Sequence, residues 1–252
     1  MKSKAEIAWR RHLRRIIRLS RRVEQYGFTT NEIRGNPLGL VTFEMLIQSR
    51  RLAEAIDILG FQHSYEAESL TRAMLETWVN ARWIRIREPM RRADRFLKFE
   101  MVDGLRLLES APLHERPPNA QDRIKQWKRW RRAVRGMFQK GSFWGRTWAF
   151  TYVGGKRVQR LSLESRLQDV SRDMQAATGR TEIDAANRTA LYFIYRFLCQ
   201  PPHGTQLGLT RLVTWGNRGP IPKSQPGENL TLLPMMHAAA ARLSFLGWAH
   251  MI

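Results

Sequence analysis

Apolar residues recur every three or four positions along most of the chain, which is the spacing of one helix face. The most regular stretch runs from Tyr65 to Arg87 and ends before Pro89, which cannot sit inside a helix without removing a hydrogen bond. Its core positions are Leu70, Met74, Trp78, Ala81 and Ile84. A second stretch runs from Thr42 to Leu59 and ends at Gly60. Both patterns predict long helices that bury one side.

The rest of the pattern predicts a helical architecture with little sheet. Further helices are predicted over 7–23, 91–108, 121–139, 162–178, 182–199 and 230–248. Segment 142–159 leaves a short β-hairpin and an irregular connection equally open, and the Gly- and Pro-rich segment 216–227 predicts a surface loop. We therefore expect an all-α helical bundle. The expected organisation is a basic amphipathic N-terminal arm (1–36) and a bundle domain (37–252) with a basic Trp- and Arg-rich insertion at about 112–160.

Charge is the most unusual bulk property of the chain. Its 252 residues carry a formal net charge of +21. Such an excess favours polyanions and speeds association with nucleic acid, while an anionic membrane surface or a merely solvated basic surface are the alternatives. The single cysteine, Cys199, excludes an internal disulfide framework and a cysteine-rich zinc site, and it fits a reducing, cytoplasmic location. The apolar C-terminal run contains Pro234 and Arg242, which favours a buried helix over a transmembrane segment.

Two predicted helices concentrate the basic residues. The helix over 7–23 carries seven arginines around an apolar stripe, and it either contacts phosphates or packs by its stripe and leaves its arginines solvated. Seven arginines exceed what solubility needs, which favours phosphate contacts by Arg11, Arg14, Arg15 and Arg18. In the helix over 121–139 the corresponding candidates are Lys128, Arg129 and Arg132. Trp127 and Trp130 interleave with them, and these rings either stack on unpaired bases or face the core.

A polar line runs along the otherwise apolar helix over 65–87. Arg72, Glu76, Asn80 and Trp83 follow one another at spacings of four, four and three, so they share one face. Polar groups on a largely buried helix need partners. Arg72 and Glu76 therefore form either a salt bridge that orders the bundle or part of a polar functional pocket.

The second constellation combines Arg196 and His203, at the end of the predicted helix over 182–199. An arginine can hold a phosphate through charge-assisted hydrogen bonds, and a histidine can move a proton near neutral pH. Pro201 and Pro202 place His203 just beyond the helix end, where it either folds back toward Arg196 or turns away.

An arginine followed closely by a histidine at the end of a late bundle helix resembles the HEPN superfamily, whose many active members are metal-independent ribonucleases. Residues Glu68–Asn80 and Tyr192–Gly204 resemble the two signatures of a bacterial helical family of unknown function, which looks related to abortive-infection and HEPN-type proteins. The resemblance spans about Glu44 to Thr210.

The resemblance implies an endoribonuclease that leaves 2′,3′-cyclic phosphate ends and needs no metal or other cofactor. His203 would act as acid or base, Arg196 would hold the scissile phosphate, and Glu76 or Arg72 would orient these groups or bind RNA. It also implies a homodimer, a toxin or phage-defence role and a regulatory or antitoxin partner. The alternatives are a non-catalytic protein that binds RNA or other nucleic acid, and a basic structural subunit of a larger complex.

Overall fold

The computed structural model describes residues 4–26, 33–59, 64–112, 114, 116–133, 148–153, 157–178, 213–216 and 219–222. The helices are α1 (Lys4–Tyr26), α2 (Pro37–Leu59), α3 (Ser64–Ile86), α4 (Pro89–Ser110), α5 (Ala120–Ala133) and α6 (Leu163–Thr178). The predicted helical class is confirmed by these elements. The helices predicted over 182–199 and 230–248 lie outside the described residues.

Local sequence signals explain where α2, α3 and α4 begin and end. The helix α2 begins at Pro37, earlier than the predicted Thr42, because the side chain of Asn36 caps it. The Asn36 Oδ1 accepts hydrogen bonds from the amides of Leu38 and Gly39, both at 3.1 Å. The helix α3 ends at Ile86, and Pro89 opens α4, where its missing amide hydrogen costs no intrahelical bond.

The central helix of the core is α3, which contributes to both apolar clusters. On one side Ala67 and Met74 pack with residues of α1 and α2. On the other side, Trp78 and Trp83 pack in a cluster with residues of α2, α4 and α6. The predicted core positions Met74, Trp78, Ala81 and Ile84 are all buried, and Leu70 is partly buried against the first cluster.

Two short antiparallel strand pairs accompany the helices. The first joins β1 (Phe150–Val153) to β2 (Arg157–Arg160), with Phe150 opposite Arg160 and Val153 opposite Arg157. It lies in the segment where the sequence left a hairpin and an irregular connection open. The second joins β3 (Val213–Gly216) to β4 (Gly219–Pro222), and β4 falls within the segment for which a loop is predicted.

Hydrophobic length was also examined along the helices. In the part of the chain that the structure describes, none of them combines the length and the hydrophobicity that a membrane crossing requires.

Candidate nucleic-acid interface

The basic helix α1 is docked on α2 through its apolar stripe. Leu13, Ile16 and Ile17 are buried and pack with Ala53 and Ile56 of α2. Burying aliphatic side chains of this size stabilises the contact by roughly 1.5–3 kcal/mol each. The helix assigned to the 1–36 segment is therefore held against the bundle in a defined orientation, which decides where each of its arginines points.

Three arginines of α1 are neutralised by carboxylates of α2. The Nε atoms of Arg10 and Arg14 lie 3.3 and 2.9 Å from the two carboxylate oxygens of Asp57. Arg10 also donates a 2.7 Å hydrogen bond to the backbone carbonyl of Asp57. Arg21 pairs with Glu54 at 2.7 Å. These contacts run Arg10 and Arg21 of α1 against Asp57 and Glu54 of α2, so the two helices are antiparallel.

The same interface contains a shared carboxylate. Arg50 bonds both Glu24 and Glu54, and the hydrogen bond to Glu24 raises the pKa of Arg50 above its ordinary value. Burial by itself would raise the pKa of Glu54, but the bonds from Arg21 and Arg50 outweigh burial and lower it. The acidic groups of α2 are thus already engaged with this side of α1.

The other four arginines of α1 form a separate stripe, which we call the arginine stripe: Arg11, Arg15, Arg18 and Arg22. At about 100° per residue, spacings of four, three and four place them within about 60° of one another and roughly opposite the buried stripe. All four are exposed, and none pairs with a carboxylate of the described residues. The arginine stripe extends about 16 Å along the helix axis.

This division gives α1 two electrostatically different sides. The side toward α2 is compensated, and the outward side has four cations without counter-charges in the described structure. Each guanidinium can donate two parallel hydrogen bonds to a phosphate. An evenly spaced row of such groups suits a polyanion with repeated phosphates.

The second basic helix, α5, presents fewer unpaired cations. Lys128 pairs with Glu109 at 3.0 Å, whereas Arg129 is exposed and forms no ion pair within the described residues. The Trp127 ring lies against Gly104 of α4, which supports the core interpretation for that ring, and Trp130 is half-buried. The side chain of Arg132 lies outside the described part of the chain.

The polar line on α3 is divided between a half-exposed pair and a seam covered by α6. Arg72 Nε and Glu76 Oε1 lie 2.8 Å apart, with both side chains partly exposed. Farther along, Asn80 accepts a hydrogen bond from Arg166, and the indole Nε1 of Trp83 donates to Asp169 at 3.1 Å. The last two members of the line therefore join α3 to α6, and Arg72 and Glu76 remain accessible to a ligand.

A buried arginine stands behind the same seam. The guanidinium of Arg92, on α4, lies 3.7 Å from the ring centroid of Trp83 and donates a hydrogen bond to the Trp83 backbone carbonyl. Burial, followed by repulsion from Arg95, lowers the pKa of Arg92 to about 10, so it stays protonated at neutral pH. This cation ties α4 to α3.

The predicted site residues are thus brought together only in part. Arg11, Arg15 and Arg18 share the arginine stripe, Arg14 and Lys128 are paired with carboxylates, and Arg72 and Glu76 form their own ion pair. Arg196 and His203 lie outside the described residues. Sequence reasoning missed Arg22 as a member of the stripe, although its spacing from Arg18 placed it there. It also missed Asp169 and Arg166, whose pairing with α3 has no local signal.

Ligands for a metal ion were sought among the described side chains, and no group of three or more His, Cys, Asp or Glu residues is close enough to hold one. A family model matches residues 40–219, which is most of the chain. The chain belongs to DUF5677, a family of unknown function. The DUF5677 match covers α2 to α6 as well as Arg196 and His203, and it begins after α1. Searches of curated proteins and of solved structures found no match.

Proposed function

We propose that the protein binds RNA or another nucleic acid through the arginine stripe of α1. The observation that carries this proposal is the division of the seven arginines of α1 into three paired with α2 and four exposed on the opposite side. Solvation alone does not require four unpaired cations in one row, since like charges at this spacing repel one another. A bound polyanion removes that repulsion.

The buried stripe of α1 favours nucleic acid over a membrane. An amphipathic helix that inserts into a lipid interface uses its apolar face for insertion. In this protein that face is occupied by α2, because Leu13, Ile16 and Ile17 are already buried there. Only the charged side of α1 is available to a partner, and phosphate contacts need only charge and hydrogen-bond donors.

The test replaces Arg11, Arg15, Arg18 and Arg22 with glutamine. A matched control replaces four exposed arginines outside α1, namely Arg34, Arg51, Arg87 and Arg172, and so removes the same charge. Binding of a labelled RNA is measured as a function of salt. We expect the α1 variant to lose affinity and to show a salt dependence flatter by up to about four ions, while the control changes little.

Equal losses in both variants would mean that net charge alone attracts RNA, and this would contradict the proposed interface. Vesicles with and without anionic lipid are a parallel probe. Binding to anionic vesicles with no binding to RNA would assign the arginine stripe to a membrane surface instead.

We further propose that the bound RNA is cleaved by Arg196 and His203, as in the HEPN-type ribonucleases that the sequence resembles. The specific support is that both residues fall inside the DUF5677 match, together with the Arg72–Glu76 pair. In this reaction His203 takes the proton of a 2′-hydroxyl, whose oxygen attacks the adjacent phosphorus. The bond to the 5′-oxygen then breaks, and that oxygen receives a proton, which leaves a 2′,3′-cyclic phosphate and a 5′-hydroxyl. Arg196 stabilises the charge on the phosphate.

The cleavage proposal is tested with purified protein and RNA in EDTA, beside His203→Ala and Arg196→Ala. Cyclic-phosphate products that vanish in both variants support it. RNA binding without products in the wild type would leave a nucleic-acid-binding protein and contradict the nuclease. On the HEPN-type proposal the two motifs of a homodimer meet, and the protein acts as a toxin or phage-defence component under the control of a partner.

A further inference from the structure

The arginine stripe of α1 continues into an exposed aromatic ring. Tyr26 follows Arg22 by four residues, which places it one turn farther along the same side of the helix. Its residue surface is 76% exposed, and the ring makes no aromatic contact with the described residues. The last arginine and the ring are separated by about 6 Å along the axis.

This combination distinguishes between two forms of nucleic acid. A duplex presents phosphates to arginines but keeps its bases paired and stacked, so an aromatic ring beside the phosphates gains little from it. A single strand presents phosphates and unpaired bases together, and surfaces that bind single strands combine cationic tracks with aromatic rings. Tyrosine suits this role because a rigid ring loses little conformational entropy when it is immobilised.

We propose that α1 binds single-stranded nucleic acid, with Tyr26 stacking on an unpaired base next to the phosphates held by Arg18 and Arg22. This inference rests on the proposed function, because it assumes that the arginine stripe contacts phosphates. It adds the strandedness of the ligand and the position of its first base contact.

The experiment compares three DNA probes of equal length: a single strand, a blunt duplex, and an abasic single strand that keeps the phosphates without the bases. The protein variants are Tyr26→Ala and Tyr26→Phe, with Ile58→Ala as the control for loss of an exposed apolar side chain elsewhere. We expect Tyr26→Ala to weaken single-strand binding by about 5- to 100-fold, which is the range measured for base–aromatic stacking. Tyr26→Phe should bind like the wild type, because the ring is kept.

The abasic probe isolates the stacking contact. The wild type should bind it about as weakly as Tyr26→Ala binds the normal strand, and Tyr26→Ala should not distinguish the two strands. Duplex affinity should be unchanged in all variants. Unchanged single-strand affinity in Tyr26→Ala, or equal losses on all three probes, would overturn the stacking contact. The glutamine variant of the arginine stripe separates this outcome from failure of the proposed function, since it still loses affinity if the phosphates are bound.

Discussion

The guanidinium of Arg92 lies 3.7 Å from the ring centroid of Trp83, and both side chains are buried, Arg92 to 7% exposure. The tryptophan also donates to Asp169 of α6, so one ring connects α3, α4 and α6. Trp148 meets the same ring edge-on at a centroid distance of 5.6 Å. A cation over an aromatic face is worth about 2 kcal/mol when it is desolvated. The Arg92–Trp83 contact therefore holds together the three helices that carry the polar line of α3.

Replacement of Arg92 by lysine should destabilise the fold by about 1–3 kcal/mol at pH 7, because an ammonium cannot stack on the ring and reach the Trp83 carbonyl in the same way. Burial should hold the pKa of the introduced lysine below its unfolded value of about 10.4. The unfolded state then binds more protons than the folded state between these two pKa values, so the destabilisation should shrink as the pH rises. Urea unfolding at pH 7, 8 and 9 measures this trend.

The wild type provides the baseline for that experiment. The pKa of Arg92 is lowered to about 10, so the side chain remains protonated over this pH range and contributes no slope of its own. Arg87→Lys, at an exposed position nearby, is the control and should follow the wild type at each pH. A stability difference for Arg92→Lys that stayed constant from pH 7 to 9 would indicate that the new ammonium has escaped to solvent.

Asp57→Asn should destabilise the docking of α1 by about 1–2 kcal/mol, because a single carboxylate accepts hydrogen bonds from both Arg10 and Arg14. RNA affinity should be equal to or slightly above that of the wild type, since the arginine stripe is untouched and one negative charge is lost. Thermal unfolding and RNA titration of the same sample test the two halves. Asp122→Asn is the matched control, because its ion pair with Lys125 is long, at 3.8 Å, and exposed. Unchanged stability in Asp57→Asn would mean that apolar contacts alone hold α1.

The helices of the bundle and much of its core were predictable, because periodicity is a local property of the chain. Met74, Trp78 and Ile84 follow helical spacing and are buried. The partners of the polar line were not predictable in the same way. Asp169 lies 86 positions from Trp83, and only packing of α6 on α3 brings them together. The arginine stripe falls between these cases, because counting at 100° per residue separates it from the other arginines, whereas the pairing with Asp57 depends on tertiary structure.

Glu76→Gln should change the free energy of unfolding by less than about 1 kcal/mol, because partly exposed ion pairs between residues four apart in a helix contribute little. If Glu76 orients the cleavage site as proposed, RNA cleavage should fall by about 10- to 100-fold in the same variant. Glu88→Gln, which breaks the exposed pair with Arg91, should leave both quantities unchanged. Wild-type cleavage in Glu76→Gln would assign the Arg72–Glu76 pair to helix stabilisation alone.

Gly104→Ala should destabilise the protein by about 1–2 kcal/mol, although alanine is normally the better helix former by about 1 kcal/mol. The reason is that a Cβ atom on Gly104 would lie 2.5 Å from Cη2 and 2.6 Å from Cζ3 of the Trp127 ring, so α5 would have to move away from α4. Trp127→Leu removes most of the ring and should reverse the sign, so that Gly104→Ala becomes neutral or stabilising in that background. Urea unfolding of the two single variants and the double variant gives their coupling energy. A stabilising Gly104→Ala in the wild type would contradict the packing of Trp127 against α4.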